Sequence, residues 1–211
     1  MKIRKRKFFC EFVLLLTTII FGSQLYAQTK TLDTIYSDLQ KKYKTIKSFQ
    51  ADFEQVNFWK ELDVEKKSLG KIFYDKNFLL LDYSEPAGQK MLIDTLAVTI
   101  YDSTSNQALI SDKIDTELRP DKFIALYWND SEKKILENSD NFSEVELVSE
   151  TGEKIEVKIK HNLIVGFTFF DDAGNYVKYE FRNIILNKSI PAEIFRINLP
   201  EDVNIIDRRE F

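Results

Sequence analysis

The sequence NFLLLDYSEP, residues 77–86, is apolar on both sides of a predicted strand. A strand with one face in water alternates apolar and polar residues. Here residues 78–81 are Phe-Leu-Leu-Leu, and polar side chains return only at Asp82 and Ser84. Both faces of this strand therefore have to be covered, by a helix or by a partner, in a chain of which 30% of the residues are charged.

A helix and several further strands are predicted around this strand. Apolar residues recur at helical spacing over residues 32–46; they are Leu32, Ile35, Tyr36, Leu39, Tyr43 and Ile46. A short second helix is predicted over residues 120–128, where Pro120 takes the first position. Elsewhere alternating segments indicate strands, with tight turns at residues 75–77, 161–162 and 172–175. The sum is an antiparallel sheet of about ten strands, which has to curl at that size.

The first 27 residues have the pattern of a secretory signal peptide. Five basic residues precede an apolar segment from Phe8 to Phe21, which is shorter than the roughly 20 residues that span a bilayer. We expect cleavage before Gln28 and a single soluble domain over residues 28–211; a permanent N-terminal anchor is the alternative. The only cysteine, Cys10, lies early in the apolar segment, whereas a lipoprotein signal carries its cysteine after that segment. No lipidation of this chain is therefore expected.

Charge and composition exclude several classes of function. Cleavage would remove five basic residues and one acidic residue, leaving 25 Lys+Arg against 33 Asp+Glu, a net charge of −8. Such a chain is a poor ligand for nucleic acid or anionic lipid. The single histidine, His161, is predicted in a turn, and no cysteine would remain, which excludes thiol nucleophiles and histidine-based zinc sites. With no nucleophile-elbow or phosphate-binding glycine motif, we expect no enzyme, no metal and no cofactor.

Five motifs, taken in order, resemble those of the LolA family of periplasmic lipoprotein carriers. They are S-F-Q-A-D-F-E-Q (48–55), G-K-I-F-Y (70–74), F-L-L-L-D-Y-S-E-P (78–86), M-L-I-D-T-L-A-V-T-I-Y-D (91–102) and I-P-A-E-I-F-R-I-N-L-P-E-D-V-N-I-I-D (190–207). The resemblance covers essentially the whole mature chain. It implies a mainly β fold, an incomplete antiparallel β-barrel with an amphipathic helical lid over an apolar cavity.

The resemblance also implies which residues form the cavity. On the barrel side these are Phe49, Ala51, Phe53, Ile72, Tyr74, Leu79 and Leu81, and on the lid they are Leu32, Ile35, Leu39, Phe123 and Leu126. The alternative is that the same residues, among 17 phenylalanines in all, simply fill a core. Family members carry Arg-Pro as a lid latch where this chain has Lys76-Asn77. Lysine lacks the planar bidentate contacts of arginine, so a Lys76 latch would differ, reaching helix-end carbonyls or an acidic residue such as Asp121.

The function implied is that of a monomeric carrier in the periplasm of a Gram-negative bacterium. It would bind the acyl chains of lipoproteins released from the inner membrane by a LolCDE-type ABC transporter. It would then deliver them to an outer-membrane acceptor, of the LolB type or another. Two alternatives stay open: an accessory carrier of another acylated lipid or precursor, and a module that senses lipoproteins without transporting them.

Overall fold

The structure, a computed structural model, describes residues 30–112 and 127–209. The helix α1 spans Leu32–Lys44, and short 3-10 helices span Lys60–Leu62 and Ala192–Phe195. The strands are β1 (Ser48–Trp59), β2 (Val64–Asp75), β3 (Leu79–Glu85), β4 (Ala87–Ile93), β5 (Ala97–Asp102), β6 (Gln107–Asp112), β7 (Ser131–Asn138), β8 (Phe142–Ser149), β9 (Lys154–Lys160), β10 (Leu163–Phe170), β11 (Tyr176–Leu186) and β12 (Asn204–Asp207).

The helix α1 begins and ends close to where its sequence pattern predicts. Thr31 is the N-cap, and its hydroxyl oxygen accepts a hydrogen bond from the Thr34 N–H at 3.3 Å. Asp33 lies in the first turn and three lysines lie in the last turn, which suits the helix dipole at both ends. The predicted second helix falls largely outside the described residues, although residues 127–129 are helical.

All 12 strands belong to one sheet, whose order is β12-β6-β5-β4-β3-β2-β1-β11-β10-β9-β8-β7. Neighbours are antiparallel, except that β12 runs parallel to β6. The two ends of this order, β12 and β7, do not pair with each other, so the sheet of the described residues is an open barrel. The prediction of about ten strands is therefore corrected to 12 in the described residues, because residue alternation alone did not reveal β7, β8 and the short β12.

One glycine makes room for an aromatic ring inside the curled sheet. A side-chain carbon at Gly70 would lie 2.4 Å from the carbonyl oxygen of Asp82 and 2.7 Å from the Phe53 ring. Because Gly70 has no side chain, the ring of Phe53 can lie across β2 and reach Tyr83 on β3, with ring centroids 5.0 Å apart. The glycine of the G-K-I-F-Y motif thus has a packing role.

The two apolar faces of β3 are covered by different parts of the chain. Leu79 and Leu81 belong to the large cluster inside the barrel, whereas Leu80 packs on the outer face with Leu92 and Phe195. Phe195 lies in the 3-10 helix Ala192–Phe195, and its ring stacks on Phe78 with centroids 5.3 Å apart. The C-terminal segment thus provides the second cover that the sequence required.

Candidate functional site

The barrel interior is a continuous apolar cluster that includes every barrel-side residue predicted from the sequence. These side chains form rows across three adjacent strands, because paired residues of neighbouring strands point to the same face. Phe49, Tyr74 and Leu79 make one row, and Ala51, Ile72 and Leu81 make the next. Phe53 lies further along β1, and the whole set is buried.

The interior extends well beyond the predicted set, onto β8, β9, β10 and β11. Buried residues there are Val145, Leu147, Ile155, Val157, Ile159, Ile164, Phe167 and Tyr179. Alternation with polar residues was visible in the sequence for β9 and β11 but was not recognised for β8, and nothing local to these strands indicated that β11 pairs with β1. That pairing joins the two halves of the sheet around one interior.

The helix α1 covers this interior. Ile35 and Leu39 are buried in the cluster, and Leu32 packs at its edge. The ring of Tyr36 stacks on Trp128, with centroids 5.0 Å apart and planes 3° from parallel. The other two predicted lid residues, Phe123 and Leu126, lie outside the described residues.

A hydrogen bond connects strand β10 to Tyr43 of α1. The register between β9 and β10 shifts between Ile164 and Gly166, and pairing of β10 with β11 begins only at Gly166. Beside this shift the Ile164 N–H donates to the Tyr43 hydroxyl oxygen at 3.2 Å. Burial raises the pKa of Tyr43, so this hydroxyl stays protonated. The sequence placed Tyr43 on the apolar stripe and gave no signal of this bond.

Polar contacts also hold the segment that leads into α1. The Lys30 ammonium donates to the Asn162 side-chain oxygen at 2.7 Å and lies 3.2 Å from the Asp38 carboxylate. The Asn138 amide donates to the Lys30 carbonyl oxygen at 2.6 Å. Asn162 adopts a positive φ of 61° in the predicted turn after β9. Through its contact with Lys30, this hairpin turn helps to position α1.

A tyrosine pair lies within the apolar interior and was not predicted. Tyr83 donates its hydroxyl hydrogen to the Gln55 side-chain oxygen at 2.8 Å, and Tyr179 lies beside it. Burial raises the pKa of both tyrosines, so neither carries charge into the interior at neutral pH. The interior therefore combines an aliphatic and aromatic lining with a few neutral hydroxyl groups.

Lys76, the predicted latch, is exposed in the turn between β2 and β3. Asp75 shapes this turn by accepting hydrogen bonds from the N–H groups of Asn77 and Phe78 at 2.8 and 3.0 Å. Asp121, the acidic partner named for Lys76, lies outside the described residues. The latch therefore stays a prediction.

One end of the barrel carries a pocket of about 300 Å³, here called the rim pocket. Asn57, Val177, Phe169 and Ile155 form a row across β1, β11, β10 and β9 that lines it. Tyr127 lies against Phe169, with ring centroids 5.9 Å apart, and Trp59 extends the wall on β1. Glu153, Asp171 and Asn175 line the pocket from the turns beside the strand ends, and the Lys154 ammonium pairs with the Glu156 carboxylate at 2.9 Å.

The described residues hold no grouping of His, Cys, Asp and Glu suited to a metal ion. His161 lies in the predicted hairpin turn, at a positive φ of 51°. Within the described ranges, no helix has the length and apolar character needed to cross a membrane.

The family to which this fold belongs follows from comparison with known sequences. The sequence model of the family described as "Outer membrane lipoprotein carrier protein LolA" matches residues 44–198. This chain belongs to the LolA family.

Two carriers are similar to it over most of their length. The outer-membrane lipoprotein carrier protein of Haemophilus ducreyi is 22% identical over 199 residues, covering 91% of this chain and 93% of the relative. That of Legionella pneumophila is 20% identical over 203 residues, covering 91% and 96%.

One solved structure has a fold similar to that of this chain. An uncharacterized conserved protein from Thermus thermophilus aligns with a TM-score of 0.55 at 13% identity, covering 85% of this chain and 100% of that one. At this identity the similarity establishes the fold alone. In this structure the barrel-side residues named above belong to the interior cluster, as do Ile35 and Leu39 of α1.

Proposed function

We propose that this protein is a periplasmic carrier, which binds the acyl chains of lipoproteins released from the inner membrane and delivers them to the outer membrane. The observation that carries the proposal is the apolar interior of an open barrel, covered on one side by the amphipathic helix α1. Membership of the LolA family supports it, as do the names of the two relatives.

In this proposal α1 moves aside and the acyl chains take its place against the sheet. The barrel-side contacts are Phe49, Ala51, Phe53, Ile72, Tyr74, Leu79 and Leu81. The lid contacts are Leu32, Ile35 and Leu39, joined by Phe123 and Leu126. Lys76 is proposed as a latch that helps to hold the lid closed.

The free energies involved favour such an exchange. Uncovering two buried aliphatic side chains, Ile35 and Leu39, costs about 3–6 kcal/mol at about 1.5–3 kcal/mol each. A lipid anchor with about forty methylenes carries on the order of 30 kcal/mol of apolar transfer free energy, at about 0.8 kcal/mol for each CH₂. Burial of even part of the anchor therefore offsets the opening of α1. The same disparity means that no lipoprotein crosses water without a carrier.

The partners proposed follow from the cargo. An ATP-driven inner-membrane complex of the LolCDE type would load the protein. An outer-membrane acceptor, of the LolB type or another, would take the cargo from it. Because the carrier must release its cargo, each contact has to be individually weak and collectively sufficient.

Two adjacent leucines provide a matched test of the interior. Leu80 and Leu81 are each 1% exposed, but Leu81 faces the interior and Leu80 faces Phe195. Truncation of either to alanine should cost about 2–5 kcal/mol of stability. Only Leu81→Ala should weaken binding of a fluorescent fatty acid to the delipidated protein, roughly fivefold for about 1 kcal/mol of lost contact.

Binding of the probe should be saturable, and acylated lipoprotein should displace it. No saturable binding, or equal weakening by Leu80→Ala and Leu81→Ala, would contradict the proposal. Native mass spectrometry of protein purified from its own periplasm then separates the alternatives. Bound lipoprotein supports the carrier, whereas another acylated lipid supports the accessory role. Lipoprotein that is bound but never transferred to acceptor membranes supports the sensing module.

A further inference from the structure

We infer that the rim pocket is the opening through which an acyl chain enters and leaves the interior, and that the polar end of the cargo stays at its edge. The inference rests on the proposed function, and it adds the place and direction of entry. It follows from the polarity of the pocket, from its continuity with the interior and from the hydrogen bonds at the opposite end of the barrel.

The pocket is continuous with the interior. Ile155, in its wall, is a buried member of the interior cluster, and Phe169 and Val177 pack against that cluster. The next row inward along the same strands contains Tyr179, Phe167 and Val157, which are buried. A chain that rests in the pocket therefore meets apolar side chains all the way into the interior.

Polarity changes in the direction that an amphiphile requires. Ile155, Phe169 and Val177 line the pocket from within the strands, whereas Glu153, Asp171 and Asn175 line it from the turns beyond the strand ends. Asp171 and Asn175 are held in place, because the Asn175 amide donates to the Asp171 carboxylate at 2.7 Å and its oxygen accepts from the Lys60 N–H at 2.9 Å. This edge suits the ester and peptide groups of an acylated N-terminus, whose acyl chain then lies inside.

The opening has the volume of a small-molecule pocket, and the strands behind it are longer than one acyl chain. A volume of about 300 Å³ lies at the lower end of the range of about 300–1,000 Å³ that small-molecule pockets show. Along β1, the eight residue steps from Phe49 to Asn57 span about 26 Å at about 3.3 Å each. This exceeds the roughly 15 Å that an acyl chain covers in one leaflet of a bilayer core of about 30 Å.

At the opposite end of the barrel, hydrogen bonds connect the link between α1 and β1 to the residues that follow β11. There Asn187 donates from its amide to the Thr45 carbonyl oxygen at 3.1 Å, and its side-chain oxygen accepts from the Lys47 N–H at 2.7 Å. The Ser48 hydroxyl donates to the Lys188 carbonyl oxygen at 2.6 Å. These bonds join the link between α1 and β1 to the end of β11, so that a chain entering there would have to break them.

Apolar side chains continue outward from the rim pocket. Trp59 and Val64 pair across the β1–β2 hairpin and are 40% and 46% exposed. Leu62, at the tip of that hairpin, is 71% exposed. An acyl chain that leaves a bilayer or a transporter would meet these side chains first, before it reaches Phe169 and the interior.

The two tryptophans of the chain make the direction of entry measurable. Trp59 is at the rim pocket, and Trp128 is 6% exposed beneath α1. Trp128→Phe leaves Trp59 as the only reporter, and Trp59→Phe leaves Trp128. Fatty acids brominated near the carboxylate should quench Trp59 most, and those brominated near the methyl end should quench Trp128 most. The reverse order, or no quenching of Trp59 by any fatty acid that binds, overturns the inference.

A second variant tests passage rather than proximity. Asn57→Trp narrows the rim pocket, and Val56→Trp places the same side chain on the opposite face of β1 as a control. If the pocket is the opening, Asn57→Trp slows both association and dissociation of the fluorescent fatty acid, whereas Val56→Trp leaves both rates unchanged. Unchanged rates, or rates slowed equally by Val56→Trp, overturn the inference even when the probe binds. Absence of probe binding to the unmodified protein would instead refute the proposed function itself.

Discussion

Replacement of Tyr43 by phenylalanine should loosen α1 without changing its packing. The ring remains, but the Ile164 N–H loses the hydroxyl oxygen to which it donates at 3.2 Å. Ile164 is buried, and its pairing with β11 is missing because that pairing begins only at Gly166. An unsatisfied buried donor costs about 1–3 kcal/mol, so we expect Tyr43→Phe to lower the free energy of unfolding by about that amount.

Tyr36→Phe is the matched control on the same helix. Its hydroxyl donates to Asn129 at 3.1 Å at an exposed position, so its loss should change stability by about 0.5 kcal/mol or less. Urea unfolding measures the global effect, and amide hydrogen exchange of Ile164 measures opening of α1. Exchange of that amide should accelerate roughly tenfold for every 1.4 kcal/mol lost. Equal effects of Tyr43→Phe and Tyr36→Phe, with unchanged Ile164 exchange, would refute the reasoning.

Three further substitutions test other parts of the structure. Gly70→Ala should destabilise the protein by about 1–3 kcal/mol, seen as a lower melting temperature, since the added carbon meets Phe53 and a backbone oxygen; an unchanged melting temperature would contradict that packing. Phe195→Ala should cost about 3–5 kcal/mol in urea unfolding by uncovering Leu80, yet leave fatty-acid affinity of the folded protein unchanged; weakened binding would place the ligand outside the barrel. Lys76→Arg should slow transfer of labelled lipoprotein to acceptor membranes while loading stays similar. Lys76→Leu should let the lid open spontaneously or prevent release of the cargo. If both variants transfer lipoprotein at the wild-type rate, Lys76 is an ordinary turn residue.

The sequence predicts best those features that depend on neighbours along the chain. Alternation identified β9, β10 and β11, and helical spacing identified α1 to within two residues of its C-terminal end. Residues tolerant of positive φ identified the turn at His161 and Asn162. In β9, β11 and α1 the local pattern and the final environment agree, because one face of the element meets the interior and the other meets solvent, whereas the register shift in β10 buries Ile164 instead of Leu163 and Val165.

Features that depend on distant parts of the chain were not predictable in the same way. The strand β7 alternates, but most of its residues are charged or exposed because it forms an edge of the sheet. The short β12 pairs parallel with β6, although the whole of β7 to β11 separates the two strands in sequence. The Tyr43 bond joins α1 to Ile164, which lies 121 residues further along the chain and next to a register shift in β10. For the same reason the sequence showed that both faces of β3 need a cover but not that Phe195 supplies one.

The two covers of β3 differ in a way that suits a carrier. The segment that bears Phe195 lies between β11 and β12, so sheet pairing holds the chain on both of its sides. The helix α1 instead contributes two buried side chains, Ile35 and Leu39, and meets the sheet through single hydrogen bonds such as that of Tyr43. If both covers were equally firm, the interior could not exchange its contents. If both were equally loose, cargo entry would expose the outer face and favour aggregation. A firm outer cover and a separable inner cover confine the exchange of cargo to the inner face of the sheet, to which Leu81 belongs.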